Sequence, residues 1–459
     1  MEEDYFPNLR FPRIKPLFAG LIFVSLAFIL TTFLYASDPK FGWAVDVAPE
    51  AVYHSQKVMQ MDYAEMEEKF RIYVYPHDDD IDINITKNTT ISGKYASEDY
   101  FFRNIKESAF ITRDPLQAHL FFIPISSHKL HQKAKLMAAS LHRVEAEYGG
   151  WGEASWAAML CVVVFLIFLP LGMAPGPVQP PSLPVLAIIP VFLAVVFLLM
   201  TIGTKTLISS YNKMASIVGK YVERLIAMYP HWNRTLGADH FFLTCHEIDV
   251  EATKKVSFLV KNAIRVVCSP SYVTRFIPHK DVSLPLVMQP FPMPTIRNDI
   301  AERNILGYWA GNSNSETRRK LVNLWGRDDE LDIQRSKGVR MNKFYRSKFC
   351  ICPVGSIATT NRITMAIHYG CVPVIMADYY DLPFNDILDW RKFSVILKES
   401  DVYNLKDILK AKAGADYRNL YNNLLKVQKH FQWNTPPVKY DTFGMLMYNL
   451  WLRRNVVKY

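Results

Sequence analysis

The stretch from Ser347 to Asp381, SKFCICPVGSIATTNRITMAIHYGCVPVIMADYYD, leaves few folds open to this chain. Phe349–Cys352 is a short apolar run closed by Pro353 and Gly355, which reads as a strand followed by a turn. Thr360–His368 carries Ile363 and Ile367 four residues apart, the spacing of one helix face, and Gly370 stops it. Val372–Met376 is a second apolar, β-branched run. Strand, helix and strand in so short a length predict a βαβ unit, hence a parallel sheet. In open α/β sheets, ligands bind beyond the carboxyl ends of the strands. Gly355, Ser356 and Thr359–Arg362 fall at such an end, where a helix begins. The free N–H groups of a helix N-terminus favour phosphate, and the planar cation of Arg362 matches phosphate oxygens. A glycine turn before a helix is a weak motif, so an ordinary βαβ unit with a solvated arginine is the competing reading.

The same alternation recurs along the chain. Strands are expected at Phe70–Tyr75, Ala118–Pro124, Phe241–Cys245, Arg303–Gly311, Asp332–Ile333 and Phe393–Leu397. Helices are expected at Tyr95–Ile111, Ala215–Met228, Thr317–Trp325, Met341–Lys348, Asp401–Ala411 and Thr442–Leu452. Prolines 278, 285, 290, 292 and 294 read as a stiff linker between two α/β domains. The strand ending at Gly311 leads through a polar loop into the helix of Arg318, a second place for an anion; a surface arginine is the plainer reading. Asp239, His240, His246 and Glu247 flank the strand near Phe241, either as an acid–base cluster or, for the first two, as the cap of a turn.

Charge and hydropathy set further limits. The formal net charge of +10 is dispersed without a long Lys/Arg run, which argues against nucleic acid and suits an acidic small substrate. Arg10, Arg13 and Lys15 precede the uncharged run Leu17–Tyr35, whose helix would span about 28 Å of a bilayer core of about 30 Å. It lacks a small-residue cleavage site, so an uncleaved anchor is expected, with a cleaved signal as the alternative. The basic flank puts residues 1–16 in the cytosol and the rest in a lumen, with 36–64 as a stem. Asn84, Asn88 and Asn233 stand in sequons that a lumenal chain can have glycosylated. For Cys245, Cys268, Cys350, Cys352 and Cys371, disulfides and buried thiols remain equally open. Their spacing is not that of a zinc site. The acidic run Asp78–Asp80 with Asp82 reads as a solvated turn in preference to a divalent-metal site, and no metal is expected.

Residues 134–210 break the pattern. Two apolar runs, Trp156–Leu169 and Leu183–Ile202, flank the Pro/Gly-rich PLGMAPGPVQPPS. A membrane hairpin, a surface-packed loop and sequence foreign to the mature protein are the three readings. A multi-span channel or transporter is the alternative from another class, weakened by the lack of ionisable residues in the apolar runs.

Several segments resemble the exostosin-type glycosyltransferases of family 47, above all their plant members. The matching pieces are KYASEDYFF, TRDPLQAHLFFIPIS, GADHFF with the following CH, KNAIRVVCSPS, FIPHKDVSLPLV, SKFCICPVGS with Arg362, GCVPVIMADYYDLPFNDILDW and FSVIL. They cover roughly 65–133 and 211–430. The resemblance implies an α/β chain with two Rossmann-like domains of the GT-B architecture behind an N-terminal transmembrane anchor. The acceptor-side domain would run over 65–289, the nucleotide-sugar donor domain over 290–430 and a crossover helix over 431–459. It further implies inverting transfer of a sugar, expected to be UDP-linked, to a cell-wall or matrix polysaccharide by a single-pass type II protein of the Golgi membrane. The nucleotide sugar is a co-substrate, no cofactor is tightly bound, and homo- or hetero-oligomers with other glycosyltransferases are expected partners. On this reading Asp239 is the base, with His240 and Glu247 behind it, and Arg318, Lys348, Gly355, Ser356, Arg362 and Asp378 hold the donor. Met365 departs from the resemblance, standing where many relatives place a carboxylate for the donor ribose. That departure keeps open a catalytically impaired polysaccharide-binding or scaffold partner.

Overall fold

A computed structural model describes residues 52–76, 91–126, 212–245, 250–288, 300–355 and 361–455, apart from positions 92, 94, 251, 252, 254, 269, 273, 274, 337 and 339 within those ranges. The apolar runs at 17–35 and 134–210, Asn84, Asn88, the acidic run, prolines 290, 292 and 294, Glu247 and Ser356 lie outside the described residues. Among the described residues, no helix is long and apolar enough to cross a membrane.

The chain is α/β with two parallel sheets. The first contains β1 (Ile72–Val74), β2 (Ile111–Thr112), β3 (Leu120–Phe122), β4 (His240–Thr244), β5 (Ile264–Val267) and β6 (Val282–Ser283), in the order β2-β1-β3-β4-β5-β6. The second contains β7 (Ile305–Gly311), β8 (Leu331–Arg335), β9 (Ser347–Pro353), β10 (Val372–Met376) and β11 (Val395–Leu397), in the order β11-β10-β9-β7-β8. Parallel strands covered on both faces read as continuous apolar runs, and every residue of β4 and β10 is buried. The helices are α1 (Gln56–Lys69), α2 (Ala96–Glu107), α3 (212–228), α4 (Ser257–Asn262), α5 (Glu316–Trp325), α6 (Met341–Arg346), α7 (Asn361–His368), α8 (Leu405–Ala415), α9 (Tyr417–Val427) and α10 (Thr442–Arg453).

The expected βαβ unit is present as β9, α7 and β10, with Phe349 opposite Val372 and Pro353 opposite Met376. Gly370 (φ 64) ends α7, and the amides of Gly370 and Cys371 return to the carbonyls of Ile367 and Ala366. Cys350 and Cys371 form one disulfide, and Cys245 and Cys268, just beyond β4 and β5, form the other; Cys352 stays a buried thiol.

Several limits differ from expectation. Helix α1 is part of the folded body, though it starts inside the stretch expected as stem, because it buries Met59, Tyr63 and Met66. The helix expected to Ile111 ends at Glu107, since Ile111–Thr112 is taken by the sheet. Helix α6 ends at Arg346, and Lys348 lies in β9. The cause is Arg303, wholly buried, which donates to the carbonyls of Phe344 (2.9 Å), Ser347 (2.7 Å) and Tyr369 (2.9 Å) and fixes the chain where helix becomes strand.

Helix α10 returns the chain to the first sheet. Trp451 meets Phe70 and His119, Phe443 meets Phe101, and Tyr448 meets Tyr63. Met445, Leu446, Met447 and Leu450 are fully buried, each worth on the order of 2 kcal/mol. The Asp441 carboxylate caps the helix, accepting from the amides of Gly444 (3.0 Å) and Val438 (2.9 Å). At the far end, the Arg453 guanidinium donates to Pro278 O (3.0 Å), Asp281 O (3.2 Å) and the Asp386 carboxylate (2.6 Å).

The capping segment contains a pH-sensitive contact. Buried His430 has Nδ1 at 2.7 Å from Tyr440 O and Nε2 at 2.8 Å from the Tyr53 hydroxyl. Burial pulls its pKa down to about 4, against the carbonyl of Tyr440, so the ring is neutral, donating from Nδ1 and accepting at Nε2. Unfolded, it titrates near 6.5. Stability from this group is therefore complete above about pH 6.5 and is lost as pH falls toward 4, by on the order of 3 kcal/mol. Denaturant midpoints at pH 7 and 4.5 are expected to differ less in His430→Gln than in the native chain; an equal difference would disprove the assignment.

Candidate active site

The carboxyl ends of the two sheets meet. Beyond β5, Pro270–Tyr272 runs antiparallel to Tyr379–Asp381 beyond β10, with Ser271 opposite Tyr380. The Tyr272 amide donates to Tyr379 O (3.2 Å) and the Asp381 amide to Pro270 O (3.0 Å). Ser283, at the end of β6, donates its hydroxyl to Asp381 O (3.0 Å). Ligands of such sheets bind beyond this edge, and here the two sheets share it.

On the second sheet, two arginines converge there. Ser315 caps α5, accepting from the Arg318 amide, and its hydroxyl donates to Val354 O (2.9 Å), tying the loop after β7 to the end of β9. Arg318 donates from Nε and Nη2 to Pro353 O (3.4 and 3.1 Å) and from Nη1 to Asn314 Oδ1 (2.8 Å), all neutral oxygens. Arg362, in the first turn of α7, sets its guanidinium carbon 5.6 Å from the centre of the Trp309 ring. Gly311 makes room for it: a Cβ there would stand 2.6 Å from Arg362 Nη2. Burial, then the Arg362 charge, lowers the Arg318 pKa to about 10. Cys352, next to Pro353, feels both charges, its thiol pushed up to about 12 by burial against the pull of both cations. Two cations held together in a partly desolvated corner create a strong attraction for a multiply charged anion.

The other expected donor residues divide. Gly355 follows β9 at this edge, and exposed Asp378 follows β10, its carboxylate accepting from the Glu399 amide at 3.2 Å. Lys348 is not there. It is the second residue of β9, about 17 Å down the strand at about 3.3 Å per residue, and its ammonium lies 5.8 Å from the Tyr417 ring. Met365 is 4% exposed within the hydrophobic core, so its side chain fills space between α7 and its neighbours.

Asp239 and His240 are likewise at the opposite edge. Asp239 immediately precedes β4, six residues and roughly 20 Å from Cys245 at its carboxyl end. Its Oδ2 accepts from Arg234 Nε (3.0 Å) and Nη2 (2.6 Å), and its Oδ1 accepts from the Thr235 hydroxyl (2.6 Å) and His240 Nδ1 (2.8 Å). Burial favours its neutral form, but the bonds from His240, Thr235 and Arg234 outweigh this and the pKa is lowered. His240 is kept neutral by burial in spite of Asp239, and its Nε2 accepts from the Tyr75 hydroxyl at 2.8 Å. A carboxylate so fully engaged is a poor proton acceptor. The pair anchors the turn at Leu236 (φ 54) and Gly237 (φ 87), the arrangement of a turn cap. Asn233 is exposed on the adjoining 3₁₀ turn Pro230–Arg234.

Sequence reading missed Trp309 and Gly311, though a Trp-Ala-Gly end to a strand before an arginine-bearing helix was visible. It also missed Asp381, whose pKa is raised to about 6 by burial and Asp386, against Arg453. Only the pairing of two distant segments brings that carboxylate into the cleft. Asp239→Asn is expected to cost about 2–3 kcal/mol of stability and to leave UDP affinity within twofold; unchanged stability with abolished turnover would return Asp239 to catalysis.

Comparison with known proteins follows the same lines. The Exostosin GT47 domain matches residues 66–159 and 192–412. The unmatched interval, 160–191, is narrower than the 134–210 break read from the sequence: the likeness continues past His131 and resumes before Tyr211. A probable glycosyltransferase of Arabidopsis thaliana is 29% identical over 423 residues, covering 89% of this chain and 66% of the relative. A second, from the same plant, is 36% identical over 249 residues, covering 53% of each chain. A probable glucuronoxylan glucuronosyltransferase of Arabidopsis thaliana is 27% identical over 250 residues, 48% of this chain and 55% of the relative. The chain thus spans just under two thirds of the first relative and about half of the other two. With a domain match over most of its described sheets and helices, this chain belongs to the exostosin GT47 family.

Proposed function

We propose that this protein is a glycosyltransferase of the GT-B architecture that moves a sugar, with inversion, from a UDP-linked donor to a hydroxyl of a cell-wall or matrix polysaccharide. The observation that carries the reading is the convergence of Arg318 and Arg362 at the carboxyl ends of β7 and β9, the place for a diphosphate. The names of the relatives, probable glycosyltransferases and glucuronosyltransferases, support it. Residues 17–35 anchor the chain in the Golgi membrane as a type II protein, and the two disulfides suit a lumenal body. Other glycosyltransferases are its proposed partners in the membrane, and no cofactor is tightly bound.

In a single displacement, a carboxylate takes the acceptor hydroxyl proton as its oxygen bonds to the anomeric carbon, and the bond to UDP breaks with its electron pair going to the diphosphate. Arg318 and Arg362 stabilise that growing charge, with Gly355 and Ser356 at the phosphate and Asp378 toward the sugar or ribose. We assign the base to Glu247, three positions past β4 in sequence, since Asp239 is committed to its turn. Met365 favours a second reading, an impaired polysaccharide-binding partner, because no carboxylate stands at that position for the ribose.

Calorimetry of UDP against the full chain tests the first reading. Saturable binding is expected, weakened at least tenfold in Arg318→Ala and Arg362→Ala. Gly311→Ala is expected to weaken it as well, because the added methyl would stand 2.6 Å from Arg362 Nη2 and 3.1 Å from the buried Trp309 ring, and both would have to shift. Glu247→Gln should retain UDP affinity and lose about 10²–10⁴-fold in turnover. A folded chain that ignores UDP sinks the transferase; UDP binding without turnover on any polysaccharide selects the impaired partner.

A further inference from the structure

The ribbon that joins the two sheets carries an unusual surface. Among the described residues, three aromatic side chains are prominent in solvent: Tyr272, Tyr379 and Tyr403, at 43%, 63% and 56% exposure. The first two are neighbours in space, although 107 positions apart in sequence (379 minus 272). The bridge pairs Ser271 with Tyr380, and the chains run antiparallel, so Tyr272 stands directly opposite Tyr379. Directly opposed residues put their side chains on the same face of a ribbon, about 5 Å apart at the backbone. Tyr380 takes the other face and is partly covered. Buried Phe276 backs the Tyr272 ring at 6.5 Å between centres.

Polar chemistry lies beside the two rings. Asp381, two residues after Tyr379, is close enough for its charge to act on the Tyr272 phenol, and the carboxylate is half-buried at the same edge. Two tyrosines that stay this exposed beside a carboxylate forgo the burial of about 150–250 Å² each that core packing would give them. They match a pyranose, which has an apolar face of C–H groups to lie on a ring and a rim of hydroxyls to donate to a carboxylate.

We infer that Tyr272 and Tyr379 form a stacking platform for a sugar ring of the polysaccharide acceptor, with Asp381 accepting from its hydroxyls. This inference rests on the transferase reading and deepens it, assigning the positioning of the acceptor to the seam between the sheets. The ribbon is set by backbone hydrogen bonds and by Ser283, so the platform spans both sheets and aligns the acceptor relative to the arginine pair. A protein surface would be the rival occupant; the carboxylate beside the rings and the shared cleft edge favour the sugar.

The test uses the full chain and two kinds of probe. Xylohexaose, β-galactopentaose and cellohexaose report on the platform by saturation-transfer NMR and titration, and UDP reports on the donor site by calorimetry. At least one oligosaccharide is expected to bind, with affinity falling tenfold or more in Tyr272→Ala and Tyr379→Ala and staying within about threefold in Tyr272→Phe and Tyr379→Phe. UDP affinity should stay within twofold in all four, which also reports that the cleft is folded. The platform is overturned if the alanine variants bind the oligosaccharide as the native chain does, or if the native chain binds UDP and none of the three sugars. It is also overturned if the alanine changes shift only the sedimentation of the protein, which marks a protein contact. Failure of the native chain to bind UDP rejects the transferase reading instead, and the alanine–phenylalanine contrast then decides the platform alone.

Discussion

Helix α10 is the constraint on which the rest depends. Nearly every residue in it is buried, and it touches α1, the first sheet and, through Arg453, the Asp386 loop beyond β10. Parallel sheets have no hairpins to join them edge to edge. Two such sheets share a cleft only if something sets their carboxyl ends face to face. Here the Pro270–Tyr272 ribbon does so. Arg453 adds a second tie, from the Asp386 carboxylate beyond β10 to the carbonyls of Pro278 and Asp281 just ahead of β6. Gly444 allows the close approach on which this packing rests, since a side chain there would collide with the Tyr63 hydroxyl.

The cleft that results is electrostatically uneven. Its second-sheet wall holds Arg318 and Arg362, each lowered in pKa by burial, so their positive charge is costly to keep and is offset when an anion arrives. The seam holds Asp381, its carboxyl raised to about 6 by burial and Asp386. A cation-rich wall and an acid-bearing seam therefore stand side by side, one suited to anionic groups and the other to hydroxyls.

How much of this was legible depended on whether the signal was local. The βαβ unit was readable to within two residues at its strands, because glycine, proline and the four-residue isoleucine spacing all act locally. Arg318 and Arg362 were readable for the same reason, each following a strand into a helix. Lys348 was misplaced because two carbonyl bonds from distant Arg303, to Phe344 and Ser347, fix the end of α6, and no local pattern announces a partner so far away. Asp239 is a different case. It precedes its strand, and in a parallel sheet that alone assigns it to the amino edge, a whole strand length from Cys245. Asp381 and the tyrosine pair were out of reach, since their meaning comes from a bridge between residues 271 and 380.

The position of α10 also bears on the order of events during synthesis. It is made after Phe70 and His119, yet it fills the groove that they bound. Until α10 has been synthesised, those surfaces lack this cover, and the first sheet waits in a form that chaperones can hold. A stop codon ahead of Thr442 would therefore leave the earlier-made sheet without the helix that packs against it.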